Sequence, residues 1–115
     1  MPDNAKLRAT ELVKRLQGAD ELVRLHAAIA LGSLGEAARP AVPVLIDLLG
    51  SDHVLDRRAA AWGLRDLGGV AEEAVPALLE ALEDGDEQVG GLAAQALEAI
   101  QGADEDDTGP DRQAA

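Results

Sequence analysis

Cysteine, phenylalanine and tyrosine are absent from the 115 residues, and tryptophan and methionine occur once each. Without cysteine there are no disulfides and no thiolate metal sites. That suits a reducing compartment, and a cytoplasmic location is expected. Aromatic residues make up 1% of the chain and hydrophobic residues 47%. Leu, Val, Ile and Ala must therefore build the core, and such a core is thin. No stretch approaches the ~20 apolar residues that a membrane helix needs. Met1 to Lys14 contains no apolar run resembling a signal peptide.

Cations are missing from the second half. Residues 1–65 carry nine Lys and Arg against eight Asp and Glu, whereas residues 66–115 carry one, Arg112, against fourteen; the net charge is −12. The second half repels phosphates and anionic lipid, which argues against nucleic-acid or membrane partners and favours a basic one.

A strict period is present. Leu31, Leu64 and Leu97 are 33 residues apart, as are Ala27, Ala60 and Ala93, and Leu34, Leu67 and Ile100. A second ladder has the same 33-residue step: Leu12, Leu45 and Leu78; Val13, Ile46 and Leu79; Leu16, Leu49 and Leu82; Pro43 and Pro76. Two ladders with one period mark stacked repeats, because a single unit cannot bury its own apolar stripe.

Each unit reads as a first-type helix, a Gly turn and a second-type helix opened by proline. Residues 3–17 form an unmatched second-type helix, with Ala9, Leu12, Val13 and Leu16 on one face. The next helix runs from an Asp20 cap to about Leu34, with Val23, Ala27, Ala30, Leu31 and Leu34 buried. Gly35 closes it as a left-handed cap, and Gly68-Gly69 make the second turn. The second unit, started at Asp52, carries one surplus residue, so Asp56 falls where Val23 and Val89 lie. Val54 or Leu55 is expected to fill that gap while Asp56 turns outward. Asp86 caps the last first-type helix, and Gly90-Gly91 weaken its opening turns. Residues 1–102 form the repeat domain; residues 103–115, acidic and aperiodic, are expected to be a disordered tail.

Asp20-x-x-Val23-Arg24-x-x-Ala27-Ala28-x-Ala30-Leu31-Gly32-x-Leu34-Gly35, followed by Pro40-x-x-Pro43-x-Leu45-Ile46-x-x-Leu49, closely resembles the short HEAT-like repeats of phycobilisome lyases and many bacterial proteins. The resemblance covers about residues 4–101. Departures are Asp56 for Val, Gly90 for the Arg at Arg24 and Arg57, and the unmatched end helices. The fold expected is all-α: a right-handed α-solenoid of about three helix-pair HEAT-like repeats, six helices in all. The function the resemblance implies is a non-catalytic protein–protein interaction module, possessing no cofactor. The competing readings are a lyase-type or chromophore-handling protein and a head-to-tail self-assembling scaffold. In the last, Lys6, Arg8, Lys14 and Arg15 of the first helix would meet the acidic last third.

Candidate sites are few. Deoxyhypusine hydroxylase, built of similar repeats, binds iron through His-Glu dipeptides; here His26 precedes Ala27 and His53 precedes Val54, so no metal site is expected. Asp104 to Asp107 lacks the Gly-punctuated loop of a calcium site. No nucleophile or general base stands in a catalytic context. Trp62 is expected to stack on Ile29, with Arg58 supplying a cation–π contact, or else to join Leu25 and Ile29 in a convex patch. Arg24 and Arg57 are expected to bridge neighbouring units through Asp or carbonyl groups. By the resemblance, second-type helices line a concave groove. Val44, Leu48, Ala77 and Ala81 form its apolar strip, with Asp47, Glu80 and Glu83 as flanking carboxylates. That combination suits a basic or amphipathic protein segment.

Overall fold

A computed structural model describes residues 4–114, with side chains as far as Gly102. Six helices follow in order: α1 (Asn4–Leu16), α2 (Glu21–Gly32), α3 (Val42–Leu49), α4 (Val54–Leu67), α5 (Val75–Ala81) and α6 (Glu87–Ala114). No strand occurs among the described residues. Short 3-10 segments, Gly35–Ala41 and Gly68–Ala74, lead into α3 and α5. The molecule is a small α-solenoid. The first-type helices α2, α4 and α6 pack side by side; α1, α3 and α5 form the second layer. The expected tail, residues 103–115, lies outside the described side chains.

The helix starts keep the 33-residue period strictly. Helices α2, α4 and α6 begin at Glu21, Val54 and Glu87, 33 residues apart, after caps at Asp20, His53 and Asp86. The second unit therefore starts at His53, not Asp52, and holds no surplus residue. Asp20 accepts the amides of Leu22 and Val23 at 2.9 and 3.2 Å, and Asp86 accepts that of Val89 at 3.0 Å. His53 makes no side-chain cap. Instead Ser51 Oγ accepts the His53 amide at 3.0 Å and holds the chain entering the helix.

Leu31, Leu45, Leu64, Leu78, Val42 and Val89 are fully buried, surrounded by alanines such as Ala28, Ala60, Ala61 and Ala93. Small residues let the first-type helices come close. Two glycines let α2 and α4 meet closely. A Cβ built on Gly63 would lie 2.6 Å from the Ala28 carbonyl oxygen, and one on Gly32 would lie 2.7 Å from Asp66 Cβ. The turns after α2 and α4 use Gly35 and Gly68 at φ +58° and +56°. At Gly68 ψ is −131°, outside the left-handed basin that an L side chain tolerates.

Three positions of the expected stripes are exposed. Val23 is 39% exposed, whereas Asp56 and Val89, one and two periods later, are buried. Leu79 and Leu82 are exposed, whereas Leu16 and Leu49 are buried and Val13 and Ile46 are partly covered. The cause is the same at both ends: the neighbouring unit that covers the equivalent residue elsewhere is not among the described residues.

Candidate functional site

Asp56 does not turn outward as the repeat position suggested; it is buried, while Val54 and Leu55 are half-buried. Its carboxylate receives the Arg24 guanidinium as a fork, Nε at 3.0 Å and Nη2 at 3.2 Å, and the Ser51 hydroxyl donates to it at 2.9 Å. Arg24 Nη1 donates to the Gly18 carbonyl at 2.9 Å. One period on, Arg57 repeats the geometry, with a fork to Asp84 at 2.9 and 3.3 Å and Nη1 to the Ser51 carbonyl at 2.9 Å. Arg24 and Arg57 thus bridge neighbouring units as expected. The carboxylate comes from different places, however. In one unit the loop position holds Ser51 and the helix position Asp56; 33 residues later the loop holds Asp84 and the helix Val89. One acid serves each arginine, from one position or the other.

A third fork joins Arg58 to the cap of α6, with Nε and Nη2 at 2.9 and 2.7 Å from Asp86. The Arg58 guanidinium, helped by the Val89 amide, outweighs the opposing desolvation and lowers the Asp86 pKa from 3.8 to about 2. Asp84 is also held below the usual carboxylate range, first by the Asp86 amide at 2.8 Å and then by Arg57. Occupied by Asp86, Arg58 is not the cation over the indole. That cation is Arg65, 4.9 Å from the Trp62 ring centroid.

The second-type helices carry two hollows rather than one continuous strip. Val44, Asp47 and Leu48 line one of about 450 Å³ together with Leu16, Arg24 and Asp56. Ala77, Glu80 and Ala81 line another of about 350 Å³ with Ile46, Leu49 and Asp84. Val44, Leu48 and Ala77 are half-buried against the core, and Ala81 is within it. Expected as an exposed strip, these residues lie deeper because their side of α3 and α5 packs against the core, and Pro43, Asp47, Pro76, Leu79 and Glu80 hold the exposed positions. Asp47, Glu80 and Glu83 are exposed. Among the described residues none of the three enters an ion pair.

A third hollow, of about 480 Å³, opens on the outer side of α2, α4 and α6. Trp62, 40% exposed, stands in it with Leu25 and Ile29. Leu55, Leu92 and Gly91 line it as well, none of which sequence reasoning grouped with Trp62. The signal was available: Leu25, Arg58 and Gly91 share one repeat position, as do Ile29, Trp62 and Gln95. His26 and His53 are both exposed.

Paired helices stacked at a fixed period, tied by arginines reaching into the next unit, define a helical repeat protein. The family model for HEAT repeats matches residues 9–98, and the chain belongs to that family. HEAT repeats generally mediate protein interactions. No curated protein matches the chain. Among the described residues no helix is long and apolar enough to cross a membrane.

Proposed function

We infer that this chain is a non-catalytic interaction module that uses its second-type helices to hold a partner segment bearing Lys or Arg on an amphipathic frame. The observation that carries this reading is the alignment of exposed carboxylates along the second-type layer. Asp56, Asp84 and Asp86 are committed to arginines inside the chain. Asp47 and Glu80, one period apart, and Glu83 beside them are exposed and uncommitted. A ladder of carboxylates with a 33-residue step suits regularly spaced cations.

The apolar part of the contact is shallow, since Val44, Leu48 and Ala77 are half-buried already. Recognition therefore rests mainly on charge. Leu48→Asp is a poor probe, because it would put a carboxylate against the core. The charge reversals Asp47→Lys and Glu80→Lys test the reading without touching packing. With a Leu/Lys amphipathic peptide as ligand, each reversal should slow association about tenfold or more at low salt, and the effect should shrink as salt rises. Equal binding by parent and double reversal at low salt would reject the reading.

A further inference from the structure

Exposed large hydrophobic side chains gather at the two ends of the array. Leu7, Leu22 and Val23 stand at the leading end, on α1 and α2; Leu79 and Leu82 stand at the trailing end, on α5 and just after it. Among the described residues only Trp62 lies elsewhere.

The repeat register defines what each end would meet. Inside the chain Lys6, Ala9 and Val13 of α1 line a hollow of about 330 Å³ with Glu36, Arg39 and Pro40 of the next unit. Two periods after those α1 residues, Glu72, Val75 and Leu79 line a hollow of about 360 Å³ with Leu97 and Ile100. Lys6 and Leu7 stand one period before Arg39 and Pro40. They are the leading end's counterpart of the segment that would cover the second hollow, and Leu7 is 67% exposed. The first-type layer agrees. Ala28 and Ala61 are fully buried, whereas Ala94, at the same repeat position of α6, is exposed. Ala28 meets Gly63 of the next unit. The equivalent of Gly63 in α2 is Ala30, on the side of that helix where Val23 and His26 are exposed.

The two ends are complementary in charge. Helix α1 carries Lys6, Arg8, Lys14 and Arg15 against Glu11, which lies 3.7 Å from Arg15. The trailing end carries Glu72 and Glu98, with Glu83 at its rim, and no cation occurs between Arg65 and Gly102. Unlike ends therefore attract, and like ends repel. Nor would the joint bury a lone charge. The position of Arg24 and Arg57 holds Gly90 in α6, and the position of Asp56 holds Val23 in α2. Each end lacks its half of the bridge, so neither half is left unpaired.

We propose that copies of this chain stack head to tail, Leu7 of one copy entering the Leu79 hollow of the preceding copy with Lys6 beside Glu72, while Ala94 of the preceding copy packs on the α2 face at Ala30. The contact is heterologous and propagates into open chains. It uses neither Asp47 nor Glu80, so it is independent of the acidic ladder.

The test is sedimentation of the full chain from about 10 µM to 1 mM. The average mass should rise from 11.9 kDa past twice that value with no plateau. Leu7→Glu blocks the leading end and Leu79→Lys the trailing end, each by setting like charge against like. Both side chains are exposed, so the thermal midpoints should stay near the parent's. Each variant alone should bind itself at least tenfold more weakly than the parent. An equimolar mixture should form pairs and stop there, because one open end of each kind remains. Lys6→Glu and Glu72→Lys supply the same two blocks by charge alone. A constant monomer mass of the parent, or parent growth that stops at two copies, would overturn the proposal. So would folded variants that assemble like the parent, or a mixture that assembles no better than its components.

Discussion

At the scale of the residue, the decisive group is Asp56. Its repeat equivalents are Val23 and Val89, and a consensus-minded change to Val looks harmless. Yet its carboxylate is the partner of the Arg24 fork, and both side chains are largely shielded, 5% and 13% exposed. Removing one partner of a buried pair leaves the other uncompensated, at about 3–5 kcal/mol, whereas replacing both by apolar residues is often neutral. Asp56→Val should therefore destabilise by that order, and Arg24→Leu combined with Asp56→Val should recover most of the loss. Urea unfolding of the parent, the two single variants and the double variant measures this directly. Additive effects, with no recovery in the double variant, would show the pair to be of little consequence. The sequence made the arginines' role readable, because both sit at one repeat position. It hid the acid, because the carboxylate switches between loop and helix. Only the exchange of Ser51 and Asp56 for Asp84 and Val89 betrayed it.

At the scale of the element, caps and glycines set where helices begin and how closely they pack. Periodicity located every helix, since apolar positions on a helix face are fixed by its pitch. It did not reveal that Gly63 abuts the Ala28 carbonyl, where an added Cβ would lie 2.6 Å away; the equivalent position of α6 carries Ala96. Nor did it assign depth on α3 and α5, because which side of each helix is covered depends on the elements packed beside it. The start of α6 is a case where element and charge are one matter. Asp86 both caps the helix and holds Arg58. Its folded pKa, about 2, lies below the ordinary 3.8. Its ionised form is thus favoured by folding, and the stabilisation is complete above about pH 4 and is lost as pH falls towards 2. Asp86→Asn keeps an acceptor for the cap and removes the charge. It should lower the thermal midpoint at neutral pH, and the gap to the parent should close on acidification through that window. A gap independent of pH would mean that the carboxylate's charge plays no part.

At the scale of the whole molecule, the two layers offer different surfaces. The first-type layer has Asp56 and Asp86 paired with arginines and an outer apolar hollow. The second-type layer leaves Asp47, Glu80 and Glu83 uncommitted. The fold class could be read from two ladders of one period, and the family match over residues 9–98 agrees with it. The face used for binding could not be read in the same way, because exposure depends on which residues neighbouring units cover. The most direct measurement is an amide-shift titration of isotope-labelled chain with the Leu/Lys amphipathic peptide at low salt. The account predicts saturable shifts concentrated in α3 and α5, around Asp47, Glu80 and Glu83, with α4 and α6 near Trp62 and Gly91 unmoved. Shifts confined to Trp62, Gly91 and Leu92, or no saturable shifts at all, would contradict it.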